Sequence, residues 1–450
     1  MRRKFILHTG LLILSAGLSA TEPDTAFNNQ FRRDIGGWIA ADATYSILLP
    51  DSRTLWLFGD TFIGETEGLT IVPGAKMIRN SAVIQEGNNL QSLFAGSFSE
   101  PDDFILTAEP DSNWYWPEHG IVDGDTLRIF LAKFRHEDNG TPGFNFAHDG
   151  NDIANLTYPG LEFINAVPVQ AHYQNQVIYG DRLLSDSIYI YIYGRKADTS
   201  SFNIPYPHVA RCLQEKLLDQ NSWEYFNGTG WSEDASHSQK INDFQVSQQY
   251  SISKYRGKYI LLTQDIWLSP DIYTFIGDSP IGPWRNKTRI FTTPESEGKT
   301  FTYNAYVHPQ FDREGEMLMS YNVNGDFWSI FSNVEIYRPR FIRVPYMNMS
   351  YEFWPNPAES IQNSGNIRIY PNPAGVSTYI GITASTAQNL QWTLYDIKGS
   401  ILQSKSLSGL NLGRNDLPVN LENQRPGIYL LKVQYGGSCE VFRIIRTNEH

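Results

Sequence analysis

Two aspartates interrupt apolar runs near the start of the chain: Asp42 in Ile39-Ala-Ala-Asp-Ala-Thr44 and Asp60 in Trp56-Leu-Phe-Gly-Asp-Thr61. Burying an isolated carboxylate is costly unless it is paired or hydrogen-bonded, although most aspartates at strand ends simply make a turn. Between the two lies Pro50-Asp-Ser-Arg53, a turn signal, which predicts that they occupy neighbouring antiparallel strands and face one rim. Two carboxyl groups so placed could hydrolyse a glycosidic bond. One protonates the leaving oxygen, and the other activates water or attacks the sugar. Proximity helps divide the roles, because the charge of one raises the pKa of the other.

Other polar residues are candidates for holding a sugar. Trp116, Glu118 and His119 in "WYWPEHG" would bring a stacking ring, an acid and a base together; the plain alternative is a surface turn after Pro117. Asp181 in "YGDR" takes the equivalent place one unit later, unless it pairs with Arg182 or caps a turn. Tyr303, Asn304 and His308 in "YNAYVHP" could donate to substrate hydroxyls, though a single histidine in a strand is commonly a satisfied structural group. Asn80, with Ser81, is expected at the same rim in a binding role, and Asp265 in "LTQDIW" ends a strand as Asp60 does. No metal ligand set and no cofactor is expected.

The elements that would position these groups are strands. β-branched and aromatic runs bounded by Gly, Pro, Asn and Asp recur from Trp38 to Val344, and segments of helical period are scarce. One short helix, or only a turn, is expected around Cys212 to Asp219. A rhythm repeats five times, a polar segment followed by a turn and a strongly apolar strand, as in "WYWPEHGIV" with "TLRIFLAKF" and "VIYGDRLL" with "SIYIYIYGRK". Five such units predict an all-β fold, a five-bladed β-propeller whose inner strands converge on one end of a channel. Unequal spacing leaves a β-sandwich as the rival.

Composition sets the outer limits. The first twenty residues have a basic start, an apolar stretch and small residues near Ala20, the pattern of a signal peptide over residues 1–20. With 36 basic against 48 acidic residues, nucleic acid and anionic lipid are poor partners. No later uncharged run is long enough for a transmembrane segment. Cys212 and Cys439 are the only cysteines and fall in different expected domains, so disulfides are not expected to hold the fold. The high content of Trp, Tyr and Phe suits sugar stacking and a large β core equally. Phosphate-loop, dinucleotide and nucleophile-elbow motifs do not occur. A Pro-, Asn- and Ser-rich stretch from Pro355 to Asn366 marks a linker between a domain at 28–358 and a small strand-rich, β-sandwich-like module at 366–450.

That module resembles the C-terminal sorting domain of the type IX secretion system, through Tyr370-Pro-Asn-Pro373, "LYDIKG" at Leu394–Gly399 and "PGIYLLKV" at Pro426–Val433. The resemblance implies export through periplasm and outer membrane to a secreted or cell-surface location, with the secretion machinery as a partner. From Phe31 to Val344, "GGWIAADATYSILLPDSRTLWLFGDTFIG", "IRNSAVI", "WYWPEHG", "YGDRLLSDSIYIYIYG" and "YNAYVHPQF" resemble, in order, secreted propeller domains of unknown function that include endo-acting D-arabinofuranosidases. This resemblance implies glycoside hydrolysis of a carbohydrate, arabinan-like in the nearest case, with Asp42 and Asp60 matching the catalytic pair. Gln248-Gln249-Tyr250 stands where an acidic residue would be expected to begin an inner strand. A non-catalytic glycan-binding propeller and a structural scaffold are the competing readings.

Overall fold

The computed structural model describes residues 21–138, 145–198, 204–266, 268–350, 353, 367–384, 388–396, 400–435 and 438–447. The expected signal peptide and the linker at 355–366 lie outside them. The chain divides into two compact units, Met1–Glu352 and Phe353–His450. Among the described residues no helix is long and apolar enough to cross a membrane.

The first unit is built from antiparallel sheets that follow one another in chain order. The first runs from an inner strand, Tyr45–Leu48, through Thr54–Phe58 and Ser81–Glu86 to Asn89–Leu93. The second comprises Asn113–Asp123, Thr126–His136, Phe146–Thr157 and Phe163–Pro168. The third begins at Ile178–Ser185, the fourth at Tyr250–Tyr255 and the fifth at Phe301–Val307. Each of these opening strands packs on the next. Tyr45 meets Tyr306 at 4.7 Å between ring centroids, bringing the first inner strand against the fifth. The fifth sheet takes its outer strand from the other end of the chain, where Glu22–Pro23 pairs with Arg343 and Ile342. This is an all-β propeller.

Alternation within the second strand of each sheet explains why these segments read as continuous apolar runs. Successive side chains point to opposite faces, and here both faces are covered. Leu55 and Leu57 pack toward the second sheet, whereas Trp56 and Phe58 pack toward the fifth. Leu127, Ile129 and Leu131 face the first sheet while Phe130 faces the third. Ile190 and Ile192 join that same core, and Tyr191 and Tyr193 join the one shared with the fourth.

Of the two readings of Cys212–Asp219, helix or turn, the structure has the turn, after a strand that takes in Cys212 and Leu213. Cys212 lies within a strand, Ile204–Leu213, paired along its whole length with Tyr189–Asp198, and turns follow it. Ladder pairing has overridden a run that reads locally as helical. The Cys212 thiol is free and buried.

The second unit has two sheets. One holds Ile367–Tyr370, Ser377–Ala384 and Gly413–Asn420, and the other is ordered Ile401–Leu407, Leu390–Tyr395, Gly427–Tyr435, Ser438–Arg446. Ile380, Ile382 and Val419 from the first sheet share one core with Trp392, Leu394, Leu431 and Val433 from the second.

Candidate active site

The hairpin from Gly37 to Gly64 comes apart at one level. Its closed half, Tyr45–Leu48 with Thr54–Phe58, enters the first sheet, while Gly37–Ala41 and Thr61–Gly64 form a separate small sheet with Lys76–Ile78. Ala43 and Thr44 turn the chain there with φ of 71° and 59°, a left-handed conformation that costs a non-glycine residue about 1 kcal/mol. Gln249 Nε2 donates to the Ala43 carbonyl at 2.8 Å, and Asn322 Nδ2 donates to Thr44 Oγ1 at 3.0 Å. Asp42 and Asp60 occupy the opening. The Asp42 amide donates to the Asp60 carbonyl at 3.3 Å, so the two lie side by side on adjacent strands.

Both carboxyls line a cavity of about 830 Å³. Asp42 Oδ2 accepts from the Tyr303 hydroxyl at 2.8 Å, which in turn accepts from Asn324 Nδ2 at 3.1 Å. Asp60 Oδ1 accepts from Trp116 Nε1 at 2.9 Å, and Arg79 Nη1 stands 3.4 Å from both its oxygens. Burial and the charge of Asp60 push the Asp42 carboxyl up to about 7, against hydrogen bonds from Tyr303 and Tyr337. Burial raises Asp60 too, but the Arg79 charge and the Trp116 N–H act in the opposite direction. The pair therefore has unequal surroundings: phenols around one member, a guanidinium and an indole around the other.

One wall of the cavity is aromatic and belongs to the second sheet. Trp116 packs on Phe134 and Phe146 at centroid distances of 4.4 and 5.1 Å, and the Arg79 guanidinium lies 4.5 Å over Trp114. At the floor, Arg195 donates from Nη2 to Glu118 Oε1 at 2.9 Å and from Nη1 to Asp181 Oδ1 at 2.7 Å. The Tyr45 hydroxyl donates to Glu118 Oε2 at 2.6 Å.

Two residues expected at the rim, His119 and Asp181, sit elsewhere for one structural reason. Register shifts interrupt the inner strands of the second, third and fifth sheets between Pro117 and Gly120, Tyr179 and Arg182, and Tyr303 and Tyr306. Each shift leaves two residues outside the ladder; of these, Glu118 and Asn304 line the cavity, while His119, Asp181 and Ala305 are buried in the packed interior. Glu118 lines the cavity, yet both its oxygens are engaged. His119 is buried, accepting from the Leu183 amide at Nδ1 and meeting the Ser46 carbonyl at Nε2. Burial and the nearby Arg182 charge hold it far below the usual imidazole range, so it is a neutral structural group. Asp181 is completely buried.

His308 is likewise closed off, with its ring nitrogens at 2.7 Å from Ser46 Oγ and 2.9 Å from Ser320 Oγ. Asn80 is spent on backbone: Nδ2 donates to the carbonyls of Ile105 and Tyr115, and Oδ1 accepts from the Ile105 amide. None of these four contributes to the cavity lining, in contrast to the sugar contacts expected of them. Trp116, Tyr303 and Asn304 do line it. Asp265 lines a neighbouring cavity instead. Where an acidic residue was looked for, Gln249 supplies an amide donor to Ala43, which a carboxylate could not do. Arg79, Asn324 and Tyr337, which also line the cavity, were not anticipated.

Residues 368–446 match the Secretion system C-terminal sorting domain, which marks the chain for export to a secreted or cell-surface location. Fold and site together define an exported all-β propeller protein with a carboxylate pair set in an aromatic-walled cavity. More particularly, the chain belongs to the family described as Domain of unknown function (DUF5005), which matches residues 24–360. Among solved structures it is similar to a presumptive hydrolase from Bacteroides ovatus, with a TM-score of 0.59 and 23% identity over 72% of this chain and 90% of that one. That likeness shows a shared fold. More distant are the GH43_1 enzyme from Xanthomonas citri, complexed with xylotriose (TM-score 0.42, 14% identity, 71% of this chain and 92% of that one), and an alpha-L-arabinofuranosidase from Podospora anserina (0.34, 11%, 69% and 92%). No curated protein matches the chain.

Proposed function

We propose that this chain is an exported glycoside hydrolase with five propeller blades, in which Asp42 is the general acid and Asp60 the base or nucleophile. The reading is carried by one observation: two adjacent carboxyls in one cavity are given opposite electrostatic company. Asp42, raised to about 7, still carries its proton in a large share of molecules near neutral pH. It delivers that proton to the glycosidic oxygen as the bond to the anomeric carbon breaks. Asp60, whose charged form Arg79 and Trp116 favour against the upward push of burial, takes a proton from the attacking water or bonds to the anomeric carbon itself. The aromatic wall offers ring faces to the C–H face of a sugar. The same site is where the resemblance to arabinan-cleaving propellers is densest, so arabinans head the substrate panel.

The test is Asp42→Asn and Asp60→Asn, made singly in the full chain and assayed by reducing-end release from arabinans, fructans and other furanose and pyranose polymers. Each variant is expected to lose about 10²- to 10⁴-fold in turnover while still retaining the polymer. Undiminished turnover in both would overturn the assignment. Polymer binding without turnover in the wild type would leave a glycan-binding propeller.

A further inference from the structure

Beside the main cavity lies a second one of about 390 Å³. Gln248, Leu268, Tyr303 and Asn304 line both, forming the ridge between them. Beyond the ridge, Ile204, Pro205, Val246 and Ile266 from the third and fourth sheets and the loops beside them give an aliphatic wall, with the polar Ser247, Gln264, Asp265 and Thr302 next to it. The carboxylate pair thus stands between unlike halves. Asp60 is bonded to Trp116 on the aromatic side, whereas Asp42 is bonded to Tyr303 on the ridge.

The ridge carries unspent polar groups. Asn304 holds a left-handed backbone, φ 56°, inside the register shift of its strand. Its amide makes no hydrogen bond to another described residue, although strain of this kind costs about 1–3 kcal/mol and concentrates at ligand sites. Gln248 is exposed; its Oε1 accepts from Arg195 Nε at 3.3 Å and its NH₂ has no partner among the described residues. Amides on a ridge above an aliphatic wall suit a molecule with hydroxyls on its edge and C–H groups on its face.

We infer that the second cavity binds the portion of a carbohydrate chain that departs on cleavage, one further sugar unit with its C–H face on Ile204, Val246 and Ile266 and its hydroxyls on Asn304 and Gln248. This rests on the glycosidase reading, which makes Asp42 the donor to the leaving oxygen; Tyr303 joins that donor to this cavity. The other half, with Trp116, then holds the sugar whose anomeric carbon is attacked. Selectivity for the departing unit is set by Asn304 and Gln248.

Two variants test it in the full chain. Asn304→Gly preserves the left-handed backbone and removes only the amide, and Ile266→Trp fills the cavity from its side. Thermal unfolding verifies that each is folded. With the same polymer panel, each is expected to raise KM by about tenfold with kcat much less affected, and to weaken polymer retention in affinity electrophoresis to a similar degree. If the wild type cleaves a polymer and both variants match it in KM and retention, the second cavity is not a sugar site, and the glycosidase reading stands. If no polymer is cleaved but one is retained, and the variants release it, the cavity is a sugar site and the glycosidase reading falls. Neither cleavage nor retention of any polymer by the wild type overturns both.

Discussion

A methyl group placed on Gly59 would lie 2.5 Å from Asp42 Oδ1. No heavy atom tolerates that approach, so the glycine preceding Asp60 is what allows its neighbour's carboxyl to stand where it does. The backbone at Gly59 is not left-handed, so a side chain there meets only the movable end of Asp42. Gly59→Ala is therefore expected to fold normally but to displace the Asp42 carboxyl from Tyr303. A loss of about a hundredfold in kcat/KM with an unchanged melting temperature is the outcome to look for.

The two members of the pair predict the two limbs of a pH profile. Activity falls on the alkaline side as Asp42 loses its proton near pH 7, and on the acid side as Asp60 gains one. A hydrogen bond to the ionised carboxyl favours that form. Tyr303→Phe removes one, which raises the Asp42 pKa and moves the alkaline limb to higher pH. Arg79→Gln removes the cation that lowers Asp60, so the acid limb also moves up. Profiles of kcat/KM separate the two; movement of the wrong limb in either variant contradicts the role given to that residue.

Asp42 also links stability to pH. Its folded-state pKa of about 7 lies above the ordinary carboxyl value of 3.8, so the native state binds the proton more tightly than the unfolded chain does. That contribution is full below about pH 4 and is lost as pH rises through 7, leaving an uncompensated charge in the cavity. Asp42→Asn has no such charge. It should be more stable than wild type at pH 8, by up to a few kcal/mol at about 1.4 kcal/mol per pKa unit, with the advantage vanishing at pH 4. Denaturant midpoints at the two pH values measure this directly.

Asn80 should behave in the opposite way, as a residue of the fold. Asn80→Ala leaves two carbonyls and one amide without their partner inside the packed structure. Orphaned buried groups cost about 1–3 kcal/mol each, so a fall in stability of about 3 kcal/mol or more is expected in urea unfolding. The KM of the folded fraction should not change.

How far the site could be read in advance follows from where its parts come from. Asp42 and Asp60 were legible because a carboxylate ending an apolar strand is locally anomalous, and one turn separates the two strands. The strands themselves were legible because each is covered on both faces and so stays apolar throughout. Tyr337, Asn324 and Arg79 reach Asp42 and Asp60 from other segments, and no spacing in the chain encodes that meeting. His119 and Asp181 sit away from the cavity for a different reason. A polar residue next to a bulge looks alike in sequence whether it turns into the cavity or into the seam between inner strands, and only the neighbouring strand decides. At Cys212 and Leu213 a helical preference lost to a ladder partner earlier in the chain, and the residues after them form the turn that was the alternative reading.

The fifth sheet is finished by residues from the opposite end of the same unit. Glu22 and Pro23 pair with Arg343 and Ile342, and Asp24 accepts from Arg343 Nε at 2.7 Å across 319 positions of sequence. No shorter fragment contains both halves of this clasp, so the ring locks only when the whole unit is present. Contacts of such separation are slow to form because the intervening chain must first be brought into place. Shaving a few residues from either side would undo the same latch, and the site, which takes Tyr303 and Asn324 from this very sheet, would lose its frame without any of its own residues being touched.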